Sequence, residues 1–320
     1  MRFTLLLLCC GGCLFGQQSL FDSLYATGDT VVLRLETSWK NLLRAKDKKE
    51  YQPATVHLES LALPARVRTR GNARLRSCRY PSLLIKLRKD GLRERGFSDL
   101  NDLKLVVQCN DSRTGTAYLH RERLLYDLHA VVNPYHHRTL PIRMSVESGD
   151  TLSAFLIESE EQLEQRYRGQ VIEEKAISTR GLHRDTYADL CLFNYMILNT
   201  DWNIFNLHNV ECLRVDGSAL PLPIPYDFDY SGMVDAHYAV PQEGLDLISV
   251  RQPAFLGRHL SEEDIRASAL RFLARREQLL AIVEAADAVS DRHRRYMHNR
   301  LRAFFAEMEE ESTFARLAAH

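Results

Sequence analysis

The sequence predicts an α+β protein in two parts: a strand-rich stretch over residues 17–158 interrupted by one helix, and a mainly helical stretch over 159–320. Three observations predict it. Short alternating apolar runs bounded by turn residues fill the first part, which is the period of half-buried strands. Beyond Ser159 the apolar residues change to helical spacing. Inside that helical part lies an island of polar loop and strand, from Asn199 to about Ser249.

The chain opens with Arg2 and an apolar run to Gly16, followed by polar Gln17, Gln18 and Ser19. That is the pattern of an export signal over 1–16, too short to span a bilayer, with lipid attachment at Cys13 as the less favoured alternative. A secreted, periplasmic or cell-envelope protein is expected, with no transmembrane segment once the signal is removed. Strand-like runs follow at 31–35, 65–69, 83–87 and 103–107, and Arg70-Gly71-Asn72 reads as a hairpin tip. The helix over 118–132 carries Leu124, Leu125, Leu128 and Val131, and Asn133-Pro134 ends it. Two more strands are expected at 140–146 and 152–157. In the second part, 160–167 and 186–198 have helical spacing. Ser261-Glu262-Glu263-Asp264 caps a long helix towards 286, and Ser290 starts a last one.

Composition removes several classes. The 42 Lys+Arg balance 42 Asp+Glu, which argues against a nucleic-acid binder with its basic stripe. At 45% hydrophobic residues the chain has ample material for a core and is not disordered. The 12 His show no zinc-ligand spacing with Cys, and no G-x-S-x-G elbow exists. Beyond residue 16 four Cys remain, and three pairings are open to them. Cys78 and Cys109 each sit beside a strand run and are expected to pair. Cys191, between Leu190 and Leu192, is expected to be buried.

The densest polar cluster runs from Asn199 to Asn209, and Tyr226-Asp227-Phe228-Asp229 follows after a strand-like run. Phosphoryl transfer needs such groups: an Asp to position the attacking hydroxyl, and an Asn and a second Asp to hold a hard divalent cation on the phosphates. Asp201 and Asn206 have the four-residue gap of a kinase catalytic loop, and Asp227-Phe228-Asp229 lies where the metal triplet would follow. Asn209 competes with Asn206 because it directly precedes a strand. An ordinary polar turn is the plain alternative.

These pieces resemble the secreted CotH-like (spore-coat kinase-like) atypical kinases. The shared residues are Arg68-Thr69-Arg70-Gly71-Asn72, Leu103-Lys104-Leu105-Val106, Arg121-Glu122, Phe155-Leu156-Ile157-Glu158, Asn199-Thr200-Asp201-Trp202 with His208-Asn209, and Tyr226-Asp227-Phe228-Asp229, in family order over roughly 65–235. The resemblance implies a bilobal protein-kinase-like fold, ATP binding with Mg²⁺ or Mn²⁺, and transfer to Ser/Thr of a protein or to another hydroxyl acceptor. It makes Asp201 the catalytic residue, Asp227 the principal metal ligand and Asp229 a second acidic contact. Lys104 with Glu122 fits the phosphate clamp, and Lys86 is the second choice. Arg70-Gly71-Asn72 is placed to cover the phosphates. Trp202 departs from the basic residue that often follows a kinase catalytic Asp. Two other functions stay open: an inactive kinase-like surface or assembly protein, and a metal-dependent phosphohydrolase using Asp201, Asp227 and Asp229.

Overall fold

The computed structural model describes residues 17–147, 149–174 and 176–319; the expected export signal over 1–16 lies outside them. The first half is a closed barrel. Its strands are β1 (Val31–Glu36), β2 (Gln52–Leu58), β3 (Leu61–Arg70), β4 (Ser82–Leu87), β5 (Asp102–Val107), β6 (Thr139–Val146) and β7 (Thr151–Ile157), in the order β1-β2-β3-β4-β5-β7-β6. The parallel pairing of β1 with β6 closes it, with Val31 opposite Ile142 and Leu35 opposite Val146.

Alternation decides which core each side chain joins. Leu33, Leu35, Val67, Ile85, Leu105, Val107, Ile142 and Leu156 fill the barrel interior. Each fully buried aliphatic side chain contributes about 1.5–3 kcal/mol. The opposite faces of β5 and β7 present Val106, Phe155 and Ile157 to a second, larger core in the helical half. Both strands are buried on both sides only in their second halves, where Leu105-Val106-Val107 and Ala154-Phe155-Leu156-Ile157 read as unbroken apolar runs.

That second core is built on α5 (Arg113–Val132) and α7 (Arg184–Ile197). Around them pack α8 (Glu262–Leu273), α9 (Arg276–Glu284), α10 (Asp291–Met308) and α11 (Glu311–Ala318). A sheet of β8 (Gly169–Ile172), β9 (Val210–Val215) and β10 (Leu222–Pro225), ordered β10-β9-β8, covers its near end. No helix of the described residues is long and apolar enough to cross a membrane.

The two halves join where β7 ends. Glu158 is fully buried and held by Arg138 at 2.7 Å and Arg166 at 2.6 Å. Ser159 then starts α6 (Glu160–Tyr167) with a reciprocal capping box to Gln162.

The expected bilobal kinase-like fold with one helix in its strand-rich half is corrected by this architecture. The strands form a closed barrel. Among the described residues that half also carries α1 (Leu20–Ala26), α2 (Trp39–Arg44), α3 (Ala73–Ser77) and α4 (Lys89–Arg93) besides α5. Helices of five to seven residues hold too few turns for periodicity to register. Closure depends on a parallel pairing between strands about a hundred residues apart, which no local pattern records. Three local readings also change. Arg70-Gly71-Asn72 is not a hairpin tip, because α3 stands between β3 and β4. The long helix expected from 262 to 286 breaks between Leu273 and Arg276. β2 was not anticipated. Cys78 and Cys109 form a disulfide, while Cys191 and Cys212 are free and buried.

Candidate functional site

A cleft of about 420 Å³ lies between the barrel and the helical half. Its helical wall comes from two segments that the β9/β10 ladder brings together. Val210 opposes Pro225 in that ladder, so Asn209 and Tyr226 stand side by side, with the Tyr226 N–H donating to the Asn209 carbonyl at 3.1 Å.

The first segment is the loop after α7. Leu198 takes a left-handed conformation and ends the helix. Asn199 donates to the Asn194 side chain at 2.8 Å and accepts the Asp201 N–H at 3.1 Å. Asn203 and His208 then exchange main-chain hydrogen bonds, both 2.9 Å, closing a small hairpin. Within it Asn206 is exposed, and its Oδ1 accepts the His208 N–H at 3.1 Å, the work of a turn residue. Asn209 donates to the Asp201 carbonyl at 2.8 Å and to its carboxylate at 3.0 Å. His208 lies 2.9 Å from the other Asp201 carboxylate oxygen, a bond that raises its pKa above the ordinary imidazole value.

The second segment is 227–229. Phe228 is fully buried against Tyr126 and Phe193, with centroids 4.7 and 5.5 Å away. Alternation about this anchor turns Asp227 and Asp229 to the cleft. Asp227 sits at φ +59, a conformation that Asp tolerates better than most residues, and its N–H donates to the Tyr126 hydroxyl at 2.8 Å. Asp229 accepts from the Tyr238 hydroxyl at 2.9 Å and lies 3.5 Å from the Arg74 guanidinium.

The barrel wall is basic. Arg70, Gly71, Arg74 and Arg76 line it, and Gly71 at φ +84 permits the turn from β3 into α3. Arg74 is almost wholly buried and lies 3.4 Å from Glu122 on α5. Burial pushes the pKa of Glu122 well up against the pull of Arg74, with Asp229 and Asp227 adding to the rise. Burial, then the charge of Asp227, raises Asp229 to about 7. Asp227 is raised by burial and opposed by Arg74 and Arg70. Buried carboxylates that disfavour one another's ionisation make a place where a cation is stabilising.

Of the residues singled out by sequence, Asp201, Asn209, Asp227, Asp229 and Arg70 line this cleft. Glu122 lies behind it, paired with Arg74 rather than with a lysine. Lys104 instead meets Glu160 and lies 3.9 Å from Glu211, and Lys86 lies 3.4 Å from Asp102; neither lines the cleft. Asn206 stays on the exposed hairpin. Sequence reasoning missed Arg74, Arg76, Tyr126 and Tyr238. Arginines at 66, 68, 70, 74, 76 and 79 look alike until α3 turns Arg74 inward.

A larger cavity, about 720 Å³, lies beyond the same loop beside Trp202 and Phe205. It gathers no pair of carboxylates, so the chemistry of acid, amide and arginine belongs to the smaller cleft.

No protein-family model matches the chain, and no curated protein matches it. Among solved structures it is similar to the crystal structure of a Helicobacter pylori proinflammatory kinase, CtkA. The identity is 12%, the alignment covers 73% of this chain and 91% of that one, and the TM-score is 0.44.

Proposed function

We propose that the protein transfers the terminal phosphoryl group of a nucleoside triphosphate to a hydroxyl acceptor. One observation carries this reading: Asp201, Asn209 and Asp227 face Arg70 and Arg74 across a single cleft. Asp201 accepts the proton of the attacking hydroxyl, with its carboxylate aimed by Asn209 and His208. Arg70, from the barrel wall, binds phosphate oxygens, the role expected of a lysine. Arg74 stays with Glu122 and Asp229 and holds the floor of the cleft in place.

A divalent cation fits the donor set. Among the described residues no three His, Cys, Asp or Glu converge on one point. Asp227 and the Oδ1 end of Asn209 supply two oxygens, which suits a hard ion that keeps water and substrate phosphate as its other ligands. When bound, the ion neutralises charge on the phosphates. The disulfide supports an oxidising compartment, in line with export of the chain.

The test is incubation of the purified protein with γ-labelled ATP, Mg²⁺ or Mn²⁺ and protein and small-molecule hydroxyl acceptors. Label on an acceptor or on the protein supports the reading. Release of inorganic phosphate alone makes the protein a hydrolase. Neither outcome in any mixture means an inactive scaffold.

A further inference from the structure

Acid and base balance over the whole chain but not over every part of it. Residues 60–89 contain no Asp or Glu and nine Lys or Arg, a bias that runs through β3, α3 and β4. On β3 the side chains of Leu63, Ala65 and Val67 enter the barrel core, so Arg66, Arg68 and Arg70 stand on the outer face. Two residues per step puts them about 7 Å apart. Arg70 lines the cleft, so the row leads from the open barrel surface into the candidate site.

Little neutralises this row. Among the described residues Arg66, Arg68 and Arg70 form no ion pair with a carboxylate. Arg66 is exposed and opposes Pro53 on β2 and Lys86 on β4. The carboxylate next in that ladder, Asp102, is held by Lys86 at 3.4 Å. At the cleft end of β3, the Thr69 hydroxyl donates to the Lys46 carbonyl at 2.5 Å, and this turn brings lysines 46, 48 and 49 against Asp47 and Glu50. Arg66 and Arg68 both lie over the Tyr51 ring, each 5.2 Å from its centroid. That packing holds two long side chains in place and lowers the entropy cost of meeting an anion.

Resting on the phosphoryl-transfer reading above, we propose that the acceptor is an acidic protein segment. It lies extended along β3, with Asp or Glu side chains at alternate positions on Arg66 and Arg68 and its hydroxyl-bearing residue in the cleft. Side chains on one face of an extended segment are also about 7 Å apart, and each arginine can meet a carboxylate through two parallel N–H bonds. A single nucleic-acid strand fits less well, because it stacks bases on aromatic faces and Tyr51 already carries the two guanidinium groups. A membrane calls for a broad basic face, whereas these arginines stand in single file and lead into a cleft.

The experiment measures transfer of γ-label from ATP, with Mg²⁺ or Mn²⁺, to three peptides: a serine flanked on both sides by alternating Glu, and the same peptide with Gln or with Lys in place of Glu. The full chain and its Arg66→Gln/Arg68→Gln variant are compared. The wild type is expected to use the Glu peptide at least about fivefold better in kcat/KM than the Gln peptide, and the Lys peptide worst. The double variant should use the Glu and Gln peptides about equally, with transfer to the Gln peptide unchanged. Should it fail to fold, salt replaces it: raising NaCl from about 0.05 M to about 0.5 M should erase the wild-type preference. Equal use of the Glu and Gln peptides by the wild type overturns the acidic acceptor and leaves phosphoryl transfer standing, as does label on small-molecule hydroxyls alone. A preference that survives in the folded double variant overturns the assignment to β3. Fluorescence anisotropy of the Glu peptide is followed in parallel against an oligonucleotide and phosphatidylserine vesicles. Tighter binding of either, lost in the double variant, gives the row to that partner and overturns the proposal. No label on any acceptor overturns both readings.

Discussion

Asn209 ties Asp201 down at two points, donating its amide to the Asp201 carbonyl at 2.8 Å and to its carboxylate at 3.0 Å. The contact uses the N–H end of the amide and leaves Oδ1 as an acceptor. It also fixes the carboxylate that His208 meets from the other side. Asn206 has no such relation to the cleft.

Replacing the two asparagines should therefore give unequal results. Asn209→Ala removes an orienting donor and an oxygen ligand, and phosphoryl transfer should fall by about 10²-fold or more. Asn206→Ala alters an exposed turn, and both stability and transfer should stay near wild type, within about 0.5 kcal/mol. Steady-state rates with thermal melting of each variant check this. Equal losses in both would remove the distinction.

Much of this site was legible beforehand because its chemistry is local. Asp201, Asn209, Asp227 and Asp229 sit in short segments whose residue types and spacing announce a polar loop before a strand and an acidic turn after it. The barrel wall was not legible. Arg74 becomes a buried partner of Glu122 only when the five-residue α3 folds against α5, a contact across 48 positions that leaves no periodic trace. Lys104 misled for the same reason. Its place on a strand before the Glu122 helix was read correctly, but its side chain is drawn to Glu160, beyond the end of β7. Closure of the barrel was hidden in the same way, by the pairing of β1 with β6.

Breaking the buried pair should be costly. Arg74 is 5% exposed and Glu122 fully buried, so Arg74→Met strands a carboxylate in the core and should destabilise the fold by about 3–5 kcal/mol. Adding Glu122→Gln removes that charge and should recover part of the loss. Urea denaturation of the single and double variants measures both. A single variant as stable as wild type would show the pair to be structurally idle.

The carboxylate cluster should make stability depend on pH and on divalent cation. The pKa of Asp229 rises from an ordinary 3.8 to about 7, mainly through burial and next through the charge of Asp227. Between those values the folded state holds a proton that the unfolded state has lost. Stability contributed by this group is therefore full below pH about 4 and falls as pH rises to about 7. Asp229→Asn should flatten this part of the profile, and saturating Mg²⁺ should flatten it in the wild type. Melting temperatures from pH 4 to 8 test it; a slope that persists in Asp229→Asn belongs to other groups.

The disulfide should matter for stability. Cys78 and Cys109 are 31 residues apart, and closing a loop of that length restricts the unfolded chain by about 3–4 kcal/mol. Cys78 also ends the helix that carries Arg74. The Cys78→Ser/Cys109→Ser double variant should lose about that much in urea denaturation. An unchanged midpoint would show that the bridge contributes nothing.

Asp201→Asn tests the central claim most directly. In phosphoryl transfer the Asp201 charge acts on the attacking hydroxyl, so its effect is felt in the transition state rather than in nucleotide binding. A turn-forming Asp, by contrast, is replaced by Asn almost without cost. The measurement pairs calorimetric binding of ATP with Mg²⁺ against transfer of the γ-label, on wild type and Asp201→Asn side by side. The expected result is affinity within a few-fold of wild type and transfer reduced by about 10²–10⁴-fold. Transfer at the wild-type rate in Asp201→Asn, with binding intact, would contradict the account.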